Sequence, residues 1–198
     1  MLPVETTMAV FPPTFRVGGI RSGAPTLYHA VALEMLGIDP FGGDIDAANA
    51  WCAAFVLSKS PSEIRDFMSS GSPDMEAVKE WIDGCGVGVS EIVSAVRSTL
   101  RSASVTYVPG KSKDGGQVMP SGFGWPLEMA ESLCHEYGIS FDEAMSVPTC
   151  RAFAMMACCR ARNGGEAGGP DYYARVLVNQ IRAMKAQSKE KEVADGRE

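Results

Sequence analysis

No run of 18 or more apolar residues occurs anywhere in the 198-residue chain, which removes a membrane-spanning helix from consideration. The N-terminus, MLPVETTMAVFPP, lacks the basic start and the unbroken apolar stretch of a secretory signal. A cytoplasmic location is expected, and with it six reduced thiols. Positive charge is also scarce: 18 Lys and Arg stand against 24 Asp and Glu, for a formal net charge of −6. The basic residues are scattered, whereas phosphate contacts need them clustered, so no nucleic-acid partner is expected. Only two histidines occur, His29 and His135, far apart in sequence. Neither sits in a motif that pairs a nucleophile with a base, and a structural His29 packed near the start of its helix is the expectation. There is no CxxC and no repeat of fixed period.

What is present is hydrophobic content of 45%, enough to bury a real core in one domain or two small ones. The run Thr14 to Val17 followed by Gly18-Gly19 suggests a small hairpin. Helix signals dominate after it. Pro25-Thr26 opens LYHAVALEML, which Gly37 closes, and Asp44 is the expected N-cap of IDAANAWCAAFVLS. Ser60-Pro61-Ser62-Glu63 is a capping box with Pro at the first helical position, and Gly71 marks the end of that helix. Ser72-Pro73 starts DMEAVKEWID with Gly84 as its C-terminal cap, and SEIVSAVRSTLR follows. VTYV could form a strand, but the stretch 104–124 is rich in Gly, Pro and Ser and reads as a flexible linker. Beyond it come PLEMAESLCHEY closed by Gly138, a short helix from the Ser140 to Glu143 capping box, a cysteine-rich helix after Pro148, and a last helix from Asp171. The expected fold is all-α, a multi-helix bundle with at most a small N-terminal β-hairpin. Its expected domains are a hairpin plus helical unit at 1–103, the linker 104–124, a second helical unit at 125–187 and a disordered tail at 188–198.

Three of the six cysteines crowd into TCRAFAMMACCRAR. At about 100° per residue, Cys150, Ala154, Cys158, Ala161 and Ala157 share one stripe of small side chains, which invites close helix contact. Met155, Cys159, Ala152 and Met156 cover much of the other side, while Arg151, Arg160 and Arg162 reach water. Adjacent cysteines on a helix point about 100° apart, whereas a disulfide needs Cβ atoms converging to roughly 4 Å. Zinc would need two pairs of ligands at short spacing, and the other candidates, Cys134 and His135, diverge: Cys134 faces the core and His135 faces water beside Glu131. Packing thiols are the expectation, with no metal, no cofactor and no catalytic residue.

VTYVPGKS imitates the end of a phosphate-binding loop, but Val105 stands where the first glycine belongs and no helix can follow. Trp51 with Phe55, and Trp81 with Val78, read as core stripes. Asp44 with Asp46, and Asp142 with Glu143, sit at helix starts where the macrodipole favours them. Trp125-Pro126 reads as an anchor locking the second helical unit to the first, or equally as a partner-binding hot spot.

Two segments carry a resemblance. FRVGGIRSGAPTLYHAVALEMLGIDPF resembles the start of small helical proteins of tailed bacteriophages and prophages. WPLEMAESLCHEYGISFDEAMSVPTCRAFAMMACCRAR resembles the helix, Gly, short capped helix, Pro, helix order of phage tail assembly chaperones. The resemblance spans about a third of the chain and is one of patterning and order; the long middle section, 45–101, and the Gly-rich insert depart from the smaller chaperones. It implies a non-enzymatic helper in the cytoplasm of a bacterial host, one that coats the tape measure protein and hands it over as tail tube subunits polymerise. The partners implied are the tape measure protein and the tail tube protein, with homo-oligomers left open. Candidate contact residues are Trp125, Met155, Met156, Tyr172 and Tyr173, each also readable as core. Eleven methionines suit adaptable grooves for partner helices. The alternatives are a structural virion or DNA-packaging component, such as a connector or small terminase-like protein, and a thiol or metal enzyme.

Overall fold

The computed structural model describes residues 8–43, 45–69, 75–104 and 124–162. The fold is mostly α-helical, with one two-stranded antiparallel hairpin near the N-terminus. Strands β1 (Arg16–Val17) and β2 (Ile20–Arg21) pair Arg16 with Arg21 and Val17 with Ile20 across the Gly18-Gly19 turn. Eight helices follow: α1 (Leu27–Met35), α2 (Ala47–Ser58), α3 (Pro61–Ser69), α4 (Met75–Cys85), α5 (Val89–Ala103), α6 (Trp125–Tyr137), α7 (Phe141–Met145) and α8 (Thr149–Arg162). The chain divides into two compact units, Met1–Cys159 and Arg160–Glu198, and the architecture below is that of the first.

Helix ends follow local chemistry. At both α3 and α7 a serine N-cap and a glutamate three residues on satisfy each other. Ser60 N–H donates to Glu63 Oε2 at 2.8 Å, and Ser140 N–H donates to Glu143 Oε2 at the same distance. Each carboxylate is held below its usual range by these bonds from its serine. Helix α2 is capped by Asp46 rather than Asp44: the Asn49 N–H donates to Asp46 Oδ1 at 2.7 Å. Ile45, just ahead of this cap, is buried. Gly84 does not end α4, which continues to Cys85 before Gly86 turns left-handed at φ 63°. Gly138, φ 64°, ends α6 as its position suggests, its N–H donating to the Cys134 carbonyl at 2.9 Å.

Helix α2 buries one broad side: Ala50, Ala53, Ala54, Phe55, Val56 and Leu57 are all inside. It packs against α5, α4 and α1, and its alanines let α5 approach closely. Helix α1 in turn meets α3, α6 and α7. Leu27 and Leu33 of α1, Leu133 of α6, Met145 of α7 and Ala152 of α8 lie in one continuous core with Val56 and Ile92. The segments expected to form separate helical units on either side of the linker thus share one interior as far as Cys159. The linker interior 105–123, the VTYV strand, the final helix from Asp171 and the tail 188–198 lie outside the described residues, as do Gly71 and the Ser72-Pro73 start signal.

A seam of backbone bonds joins the start of α1 to the corner between α7 and α8. Thr26 and Pro148 form an isolated antiparallel bridge, Leu27 N–H donates to the Val147 carbonyl at 3.3 Å, and Thr149 N–H donates to the Pro25 carbonyl at 2.8 Å. Residues 124 positions apart in sequence are thereby held as strand neighbours are.

Candidate functional site

The connection from α1 to α2 builds the most distinctive side-chain cluster. Gly37, φ 69°, and Ile38 close α1 in a Schellman motif: Ile38 N–H donates to the Leu33 carbonyl and Gly37 N–H to the Glu34 carbonyl, both at 2.9 Å. Asp39 then accepts from Phe41 N–H at 2.9 Å and from Gly43 N–H at 3.1 Å, folding the loop around its own carboxylate. From the other side α5 reaches up. Arg97 donates to the Ile45 carbonyl at 3.1 Å and Arg101 to the Gly42 carbonyl at 3.3 Å. The loop is therefore fixed at both ends, and what it presents is Phe41.

Phe41 meets Trp125 at a centroid distance of 5.1 Å, and Trp125 stacks on Phe153 at 5.3 Å with the rings 19° apart. Three elements distant in sequence thus contribute one aromatic platform, within the 4.5–7 Å range of favourable ring pairs. Trp125 is half-buried and Phe153 buried. Glu34 lies against Gly124 at the head of α6, where a carboxylate is favoured. Burial raises its pKa, and the Trp125 indole N–H pulls the other way without closing a full hydrogen bond.

Of the expected contact residues, Met155 and Met156 are half-buried and packed on the core, on the same helix as Phe153. Met156 stands one turn beyond Phe153. The Met155 carbonyl accepts from Tyr137 at 2.7 Å. Tyr172 and Tyr173 lie outside the described residues. The structure joins Trp125 to Phe41 and Phe153, which the sequence reading had not connected; Pro40-Phe41 between two glycine turns was the available signal. Large apolar side chains also stand exposed at Phe11 (70%), Met35 (57%) and Phe141 (48%), each at the edge of a helix where periodicity gives no side to assign.

The cysteines do not converge. Cys150 and Cys159 are buried, Cys52, Cys85 and Cys134 half-buried and Cys158 exposed. The small-residue stripe is buried at Cys150, half-buried at Ala154 and Ala157 and exposed at Cys158, so its packing fades along α8. Ala152, Phe153 and Cys159 take the core side, because the larger ring removes more apolar surface from water. Burial pushes the Cys150, Cys52 and Cys85 thiols up, keeping them protonated at neutral pH, and Cys150 Sγ donates to the Met8 carbonyl at 3.2 Å. Among the described residues no three His, Cys, Asp or Glu side chains gather around a common point. His135 is exposed and sits beside Glu136, Nδ1 to carboxylate 3.7 Å, rather than Glu131.

His29 is buried, and both ring nitrogens are committed to the α1 cap and the α2–α3 corner. Nδ1 accepts from the Thr26 N–H at 3.1 Å, which leaves Nε2 to donate to the Lys59 carbonyl at 2.9 Å. Burial lowers its pKa, so the ring is neutral at physiological pH. An imidazole so engaged has no lone pair left to activate a nucleophile.

Neither protein-family models, curated proteins nor solved structures match this chain. The functional reading therefore rests on the geometry and on the sequence pattern. No helix among the described residues is long and apolar enough to cross a membrane.

Proposed function

We propose that this chain is a non-enzymatic phage or prophage tail assembly chaperone that binds the tape measure protein during tail morphogenesis. The observation that carries the reading is the Phe41–Trp125–Phe153 platform, flanked on α8 by the half-buried Met155 and Met156. Aromatic rings supply rigid contact area and methionine supplies adaptable contact, a combination that accepts many partner helices along one long chain. The platform is assembled from the two segments that carry the resemblance, with Phe41 in the one similar to small helical phage proteins and Trp125 and Phe153 in the one similar to tail assembly chaperones. The net charge of −6 would keep a loaded complex dispersed.

The test is co-expression with the tape measure protein encoded beside this chain. The long partner is expected in the soluble fraction and co-purifying only when this chain is present. Met155→Lys with Met156→Lys, on side chains half open to solvent, is expected to abolish co-purification while leaving the helical circular dichroism unchanged. Equal solubility of the partner with and without this chain rejects the reading. Retention on DNA that weakens steeply with salt would support a packaging component instead.

A further inference from the structure

We infer that His29 is an acid-sensitive latch: a neutral imidazole that caps the first turn of α1 at Thr26 while tying it to the α2–α3 corner at Lys59, and that gives up the Thr26 end on taking a proton. The geometry is that of a tie with two different ends. One end, Nε2–H, donates to Lys59, the residue that terminates α2. The other end, Nδ1, must accept, since the Thr26 amide faces it at 3.1 Å. Thr26 is also the residue that bridges Pro148, with Leu27 and Thr149 bonded on either side. The ring, 3% exposed, therefore joins the corner at residue 26 to the corner at residue 59, and the backbone seam carries residues 25–27 on to 147–149.

Protonation breaks this arrangement in a defined way. The imidazolium has two donors and no acceptor. The Thr26 hydroxyl, 2.9 Å from Nδ1, can turn and accept the new N–H. The Thr26 amide cannot turn. It is left facing a donor, without the acceptor that caps α1, and the charge is buried.

Among the described residues no carboxylate bonds to the ring. Tyr28 on α1 itself donates to Asp142 on α7, Arg65 on α3 pairs with the same Asp142, and Lys59 pairs with Glu63 at the corner. None of them bonds to the imidazole, and no charged side chain of α2 or α6 acts on its titration, which burial and the Lys59 carbonyl govern.

The sign follows. A histidine whose folded pKa lies below its unfolded value of 6.5 leaves stability untouched at high pH and removes it as pH falls below 6.5. The unfolded or opened chain takes up one proton that the closed form refuses, so the opening constant rises as pH falls through that window, by at most about tenfold per pH unit. The test uses the full chain. Hydrogen exchange at the Thr26, Leu27 and Thr149 amides, corrected for the intrinsic pH dependence, is followed from pH 7.5 to 5. In the unmodified protein the opening constant is expected to climb below pH 6.5. In His29→Gln, which keeps an acceptor for Thr26 and a donor for Lys59 but does not titrate, it is expected to stay flat. An equal climb in His29→Gln overturns the latch. Should that variant not fold, proton NMR of the unmodified chain decides. The His29 signal is expected to stay in its neutral position as the pH falls below 6.5, and to shift only as Thr149 loses protection. A His29 that titrates with Thr149 still protected overturns it equally.

Discussion

Gly37 and Gly42 both hold left-handed backbone, at φ 69° and 74°, yet an added methyl group would meet different surroundings at the two. Around Gly37 there is open space, so Gly37→Ala carries only the conformational cost of about 1–2 kcal/mol. At Gly42 the new Cβ would stand 3.1 Å from Leu100 Cβ and 3.4 Å from the Arg101 nitrogen, both on α5. Backbone near Arg101 cannot move aside as a side-chain tip can. Gly42→Ala is therefore expected to cost more, about 2–4 kcal/mol from conformation and overpacking together. It should also displace Phe41 from Trp125, visible as a change in near-UV circular dichroism that Gly37→Ala lacks. Equal urea midpoints for the two variants would contradict the role assigned to α5 in holding this loop. Residue chemistry of this kind was partly legible beforehand. Gly37 announced itself as a cap, but Asp46 took the capping role expected of Asp44, because two aspartates two positions apart carry the same local capping signal.

Between elements, the Tyr28 hydroxyl donates to Asp142 at 2.5 Å and so ties α1 to α7, with Arg65 of α3 on the other carboxylate oxygen at 3.8 Å. Burial and the Asp142 carboxylate together push the Tyr28 phenol up to about 12, against a smaller opposing pull from Arg65. An acid whose folded pKa is raised contributes stability that is lost as pH climbs from its unfolded value of 10 towards 12. Absorbance at 295 nm is expected to show a late-ionising tyrosine whose titration coincides with unfolding. Tyr28→Phe should remove that component and flatten the loss of stability above pH 10. A Tyr28 that ionises near 10 while the fold persists would rule the tie out. Helix boundaries were the most readable feature at this scale, because the capping boxes at Ser60 and Ser140 and the glycine at Gly138 act locally. Which face of α8 is buried was not readable. Both sides of TCRAFAMMACCRAR are apolar, and only the position of Phe153 against Trp125 decides between them.

At the scale of the whole molecule, the all-helical class with one hairpin followed from composition and punctuation alone, whereas the division into helical units did not. Gly, Pro and Ser between 104 and 124 mark a connection, but a connection says nothing about whether the helices on its two sides share an interior. Here the deciding residues are Leu133, Ala130 and Met145, which lie wholly inside the cluster that holds Leu27, Leu33 and Ile92. One core implies one cooperative transition up to Cys159. Truncating Leu133 to Ala should then cost about 2–5 kcal/mol, and the loss should be felt everywhere at once. Fluorescence can separate the two outcomes, since Trp51 and Trp81 report on α2 and α4 while Trp125 reports on α6. A Trp125→Phe chain and a Trp51→Phe, Trp81→Phe chain, each carrying Leu133→Ala, are expected to lose the same amount of stability by urea titration relative to their own parents. Were α6 to α8 an independent unit, the Trp51 and Trp81 signal would keep its parental midpoint and only the Trp125 signal would move. The seam between Thr26 and Pro148 argues against that outcome, because parting α1 from the α7–α8 corner would break both of its backbone hydrogen bonds.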